Sequence, residues 1–153
     1  MSSTLKSISA LLLTLLLTGC GHTGSTQPYF EPPQPPAGKA LIYMMRTQVI
    51  QGSFYDSIFS INDSAVVGLD DKTYSWVQVS PGIHKVSAGQ NPHPRNVFLN
   101  LPVEAGKEYF VEYTQEYPAE MIRLRNEKEG KAMVKGYSYI PVPSTSVSTK
   151  SAH

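Results

Sequence analysis

Four histidines, one cysteine and the pair Asp70-Asp71 are the residues here whose types suit metal, nucleophilic or acid–base chemistry. The histidines stand at 22, 84, 93 and 153. No H-x-H, H-x-x-x-H or Cys/His spacing joins them, so the pattern of a zinc site is missing. Asp70 and Asp71 are adjacent, and neighbouring residues of a strand or turn point apart. No EF-hand pattern surrounds them, and they read as a solvated turn. Serines and aspartates are plentiful, yet no G-x-S-x-G elbow marks a nucleophile. Non-catalytic binding is what remains at named positions. His84 shares a strand face with Val86 and Ala88, which puts its ring at the core edge bonded to a neighbouring carbonyl, or else against a ligand. His93, between Pro92 and Pro94, suits a contact with a partner. Tyr74 and Trp76 lie two apart, and on an exposed face they would hold a glycan ring or a protein partner. No catalytic residue and no metal ligand is assigned, and the chain reads as a non-enzyme.

The cysteine is a different matter. Lys6 is followed by an apolar core from Ile8 to Leu17, about half the roughly twenty residues a membrane-spanning helix needs. A positive start, a short apolar centre and small residues at the end describe a secretory signal peptide. Leu17-Thr18-Gly19-Cys20 then resembles the lipobox of bacterial lipoproteins. The resemblance implies cleavage before Cys20, with diacylglycerol on its sulfur and an acyl chain such as palmitate on its new amine. Each buried methylene adds roughly 0.8 kcal/mol, so several chains together give stable anchoring. A single cysteine fits this use, since the thiol is consumed and no disulfide remains to be made. Gly21 stands where the sorting rule for such proteins places an inner-membrane-retaining Asp, which points to the outer membrane, facing the periplasm.

Residues 20–153 then divide by composition. Lys6 is the only charge in residues 1–19, so removing them leaves 12 basic and 12 acidic side chains. That neutral balance offers no basic patch for nucleic acid. Residues 20–39 hold five prolines between Pro28 and Pro36 and read as an extended linker after the lipidated cysteine, with a reach of about 60 Å. Residues 40–140 read as one domain, and 141–153 as a frayed Ser/Thr-rich tail.

The domain repeats a two-residue period between turns. Residues 40–46 form a continuous apolar run of the kind buried on both faces. Residues 55–69 read as a hairpin about Asn62-Asp63-Ser64, and 73–79 as the strand after Asp70-Asp71-Lys72. Pro81-Gly82 suits a type II turn, which would make 83–88 the hairpin partner of 73–79. Residues 97–103, 108–114 and 121–126 alternate again, and Arg123 and Arg125 face outward, where Glu108 or Glu112 would pair with them. The run 127–137 reads as at most a short helix, weakened by Gly130. Seven or eight such strands predict an all-β, antiparallel β-sandwich.

The segments ALIYMMR (40–46), TYSWVQVSPGIHKVSA (73–88) and AGKEYF (105–110) resemble a family of small bacterial envelope lipoproteins that carry a domain of unknown function. Its pattern runs A-x-I-Y-x-x-R, then P-G-x-H-x-V-x-A, then A-G-K-x-Y. Asp63-Ser64 replaces the family's usual Asp-Gly. The resemblance implies an all-β envelope lipoprotein, and supplies neither catalytic residues nor a cofactor beyond the covalent lipid. The expected function is a lipid-anchored binding or structural module, its partners the membrane and envelope proteins or peptidoglycan. The alternatives are a small hydrolase of envelope polymers and an inhibitor of cell-wall-degrading enzymes.

Overall fold

The computed structural model describes residues 27–48, 56–90, 97–116 and 119–143. In chain order its elements are β1 Ala40–Arg46, β2 Ser57–Ile61, β3 Ser64–Leu69, β4 Thr73–Val79, β5 Gly82–Gln90, β6 Val97–Val103, β7 Glu108–Glu116, β8 Ala119–Arg125, helix α1 Glu127–Lys135, and β9 Ser138–Tyr139. They build two sheets, one of order β8-β7-β1-β4-β9 and one of order β3-β2-β5-β6. The result, among the described residues, is a β-sandwich with one short helix.

Strand β1 shows why its residues are continuously apolar. It lies in the middle of the five-stranded sheet, between β7 and β4, and is buried along its whole length. Ala40, Ile42 and Met44 point into the core between the sheets, against Phe59, Leu69, Val86 and Val111. Leu41, Tyr43 and Met45 point the other way, into a second cluster with Tyr74, Phe110 and Val134. A sheet covered on one face would have needed only alternate apolar residues.

Two expectations on strand pairing are corrected. The β2–β3 hairpin forms as read, with Asn62 and Asp63 at φ 51° and 64°. Ser64 is already in β3, so its departure from glycine falls where no positive φ is needed. Strand β5, however, pairs with β2 and β6 and not with β4. Both β4 (Val77, Val79) and β5 (Val86, Ala88) feed the inter-sheet core. The Pro81-Gly82 turn, with Gly82 at φ +141°, therefore carries the chain from one sheet to the other. The five-stranded sheet is also mixed rather than purely antiparallel, since β1 runs parallel to β7 and β4 to β9. Between β1 and β7 the chain crosses to the second sheet for β2–β3, returns to the first for β4 antiparallel to β1, crosses again for β5–β6, and re-enters the first at β7 in the direction of β1.

The Pro-rich segment differs from a free spacer over residues 27–39. Its prolines lack the N–H that a sheet requires, but the donors that remain are used. Gln27 N–H donates to the Tyr139 carbonyl at 2.9 Å, and Tyr139 N–H to the Gln27 carbonyl at 2.8 Å. Lys39 N–H closes a turn onto the Pro36 carbonyl at 2.9 Å, with Gly38 at φ +75° as a type II turn demands. The segment is a strap across the outer face of the five-stranded sheet. Asp71 also departs from a free turn residue, because Arg46, fully buried, places Nε 3.1 Å from its Oδ1 and donates Nη1–H to the Leu69 carbonyl at 2.8 Å.

Candidate functional site

On the outer face of the five-stranded sheet Tyr43, Tyr74, Trp76, Phe110 and Tyr139 collect. Tyr43 on β1 stands in register with Phe110 on β7 and Trp76 on β4, so three neighbouring strands supply one row. The Tyr43 and Phe110 rings stack at 4.5 Å and 13°. Along β4, Tyr74 faces Tyr139 of β9, and Trp76 stacks on Tyr139 at 6.4 Å. Such pairs contribute about 0.5–1.5 kcal/mol each beyond burial.

Two covers lie on this face. The strap is pinned by Tyr74, whose hydroxyl accepts from Phe30 N–H at 3.0 Å and donates to the Phe30 carbonyl at 2.8 Å. Helix α1 is the other. Asn126 caps its first turn by accepting from Glu129 N–H at 2.9 Å, and Glu127, Glu129 and Lys135 suit its dipole. A Cβ on Gly130 would sit 2.1 Å from Phe110 Cγ, so glycine is what lets the helix lie down on the sheet. The residue that weakened the helix in the sequence is the one its docking requires.

Between the covers the sheet stays open as a cleft of about 460 Å³. Tyr43, Glu108 and Phe110 form its floor; Lys131, Val134 and Lys135 of α1 form one wall. The strap forms the other, with Tyr29, Glu31, Pro32, Gln34 and Pro35. The floor carries a fixed polar chain: Tyr43 Oη donates to Glu108 Oε1 at 2.8 Å, and Lys131 Nζ lies 2.9 Å from Glu108 Oε2 and 2.6 Å from Glu127 Oε1. Burial and the bond to Glu108 push the Tyr43 hydroxyl far up, so it stays protonated. The bonds to Glu127 and Glu108 push Lys131 up as well, so it stays charged. The Tyr43 hydroxyl and the Lys131 ammonium therefore keep their protons across the ordinary pH range, which suits recognition better than proton transfer.

Beside the cleft, on the same face, Glu112 is 1% exposed and takes Arg123 Nε and Arg125 Nε, each at 2.6 Å, together with the Thr47 hydroxyl. Burial alone would raise this carboxyl, but those three bonds outweigh it and hold it down at about 2. The arginines thus meet a carboxylate across the sheet, Glu112 rather than Glu108. Between the sheets, burial and Glu120 push the Tyr113 hydroxyl up to about 12.

Of the residues singled out in the sequence, Tyr74 and Trp76 are brought together, both against Tyr139 and under cover, and His84 lies apart from them. Tyr74 is fully buried under the strap and presents no ring to solvent, while Trp76 is half-buried against Tyr139. His84 lies on the other sheet, where Asn62 Nδ2–H donates to Nδ1 at 3.1 Å and Nε2–H to the Ser80 carbonyl at 2.8 Å. His93 and the lipobox residues Leu17, Thr18, Gly19, Cys20 and Gly21 lie outside the described residues. Among the described residues no three His, Cys, Asp or Glu side chains converge as metal ligands would. Sequence reasoning missed Glu31, Lys131 and Lys135. Only the i,i+4 spacing of Glu127 and Lys131 carried any signal for them.

Sandwich, strap and helix define a class: a small two-sheet β domain with an extra half-layer that leaves a cleft. The chain belongs to the family described as "Protein of unknown function (DUF2846)", which matches residues 36–124. No curated protein and no solved structure matches it. The cleft floor falls within the matched span, whereas helix α1 and strap residues 29–35 fall outside it.

Proposed function

We propose that the protein is a non-catalytic binding module of the bacterial cell envelope, anchored by lipid on Cys20 in the outer membrane and facing the periplasm, with the outer-layer cleft as its binding surface. The observation that carries this reading is continuity: the strap that walls the cleft is the segment that leads back to the lipobox. Only residues 21–26 separate Cys20 from Gln27, where pairing with Tyr139 begins. At no more than about 3.6 Å per residue, the seven steps from Cys20 to Gln27 span roughly 25 Å. The anchor then holds the cleft close to the bilayer, well short of the 60 Å that a wholly free linker would allow. Tethering at such range raises the effective concentration of the module for ligands at the membrane surface.

The test is fractionation of cells expressing the full chain and its Cys20→Ser variant, with intact mass measured on each. The wild-type chain is expected in the membrane fraction, starting at position 20 and heavier by diacylglycerol and one acyl chain. The variant is expected in the aqueous fraction. A wild-type chain recovered from aqueous extract with a free thiol would overturn the reading.

A further inference from the structure

The cleft is empty space lined by matched charges, and that combination restricts what fits it. Its volume, about 460 Å³, lies within the roughly 300–1,000 Å³ of small-molecule sites. Two carboxylates, Glu31 and Glu108, face two ammonium groups, Lys131 and Lys135. An anion or a cation would find no net attraction there. Glu108 and Lys131 already satisfy each other, yet each keeps spare capacity. The carboxylate oxygens have further lone pairs, and the ammonium has a third proton beyond those given to Glu108 and Glu127. Among the described residues, Glu31 and Lys135 form no ion pair with each other or with another group. One wall therefore accepts hydrogen bonds and the other donates them. A neutral ligand whose groups both donate and accept satisfies the two walls together, which is what hydroxyls do.

The backbone argues against the other chemistry with that property, an extended peptide. A peptide gains affinity by adding to an exposed strand edge. The floor strands β1 and β7 are both interior, with neighbours on each side. The strap wall is broken by Pro32, Pro33, Pro35 and Pro36, which have no N–H to give. Recognition has to come from side chains and from flat apolar surfaces. The Tyr29 ring, 39% exposed, and the Pro32 and Pro35 rings supply such surfaces for the C–H faces of a sugar.

We infer that the cleft binds a neutral saccharide of about disaccharide size, gripped between Glu31 and Gln34 of the strap and Lys131 and Lys135 of α1. This rests on reading the cleft as the binding surface, and it is independent of the lipid anchor.

The experiment is calorimetric titration of the full chain in detergent with N,N′-diacetylchitobiose, maltose and trialanine. At least one disaccharide is expected to bind. Glu31→Ala and Lys135→Ala, both at exposed positions, are each expected to weaken it about tenfold or more, the loss of a charge-assisted hydrogen bond. Phe98→Ala, on the opposite sheet, is expected to leave the affinity unchanged. Failure of both disaccharides to bind into the millimolar range overturns the inference, as does binding that neither cleft variant weakens. Trialanine binding that Glu31→Ala and Lys135→Ala abolish overturns the saccharide assignment while keeping the cleft as the site. Membrane partition of the same preparations reports the anchor separately.

Discussion

The two faces of the five-stranded sheet are covered by different physics. The inner face meets a second sheet, and the contact is mainly apolar: Ile42, Met44, Val111 and Phe59 are buried together with no exposed area to speak of. The outer face meets a nine-residue helix and a proline strap, which together leave a cleft unfilled. What holds these covers is a small set of directed contacts, namely the Tyr74 hydroxyl, the Gln27–Tyr139 bridge, the Phe110–Gly130 approach and the Lys131–Glu108 pair. Removing one contact from a densely packed layer is felt everywhere, whereas removing one from the outer layer should loosen only its own cover. The contrast is testable in order of size.

The largest effect belongs to the inner layer. Phe59 is fully buried and meets Tyr113 edge to face at 6.1 Å. Phe59→Ala is expected to lower global stability by about 3–5 kcal/mol. Denaturant melts followed by far-UV circular dichroism and by Trp76 fluorescence should shift together. Dichroism moving without the fluorescence would mean that the two layers unfold separately.

Next in size is acid. The Glu112 carboxyl, near 4.5 in an unfolded chain, is held at about 2 in the fold. Because the folded value is the lower, its contribution is present above pH 4.5 and is lost as the pH falls toward 2. The shift corresponds to about 3 kcal/mol. Wild-type stability from urea melts should therefore fall by about that amount between pH 5 and 2, and a Glu112→Gln variant should show a shallower slope there. Equal slopes would remove Glu112 from the account of the outer face.

Gly130→Ala follows. The added methyl would meet Phe110 Cβ at 2.4 Å as well as the ring, a clash no ring rotation relieves, so α1 has to lift; overpacking of this kind costs about 1–3 kcal/mol. A lifted helix widens the cleft, so this variant is expected to weaken whatever the cleft binds. Retention of native stability would show that α1 shifts off the sheet without cost, and that its close approach at Gly130 holds nothing.

These layers were unequally legible in the sequence. The limits of β4 and β6, the β2–β3 hairpin and the two-sided burial of β1 follow from local periodicity, which is a property of neighbouring residues. Which sheet β5 joins is not a local property: the Pro81-Gly82 turn serves an in-plane hairpin and a crossover between sheets equally well. The strap was the least legible part, because proline composition says extended and nothing in it says against what. The cleft joins residues 29–35 to 131–135 across the whole domain, and only the pair Tyr74 and Trp76, two apart on one strand, hinted that the outer face was special.

The smallest expected effect is the most diagnostic of the comparison. Tyr74→Phe keeps the ring that packs against Tyr139 at 5.5 Å and Tyr29 at 6.3 Å, and deletes only the hydroxyl. Phe30 then loses both an acceptor for its N–H and a donor for its carbonyl. With water able to replace part of each bond, the net loss is about 1 kcal/mol per bond. The inner sheet does not sense that change, so global stability should move little. The strap does sense it, because the bridge at Gln27 becomes its remaining described backbone tie ahead of the Pro36–Lys39 turn. Hydrogen exchange should therefore accelerate at the Phe30 amide by about tenfold or more while the β1 amides stay protected. Uniform acceleration across strap and strands would mean that the strap is part of the cooperative core, and that the two faces of the sheet are not energetically distinct.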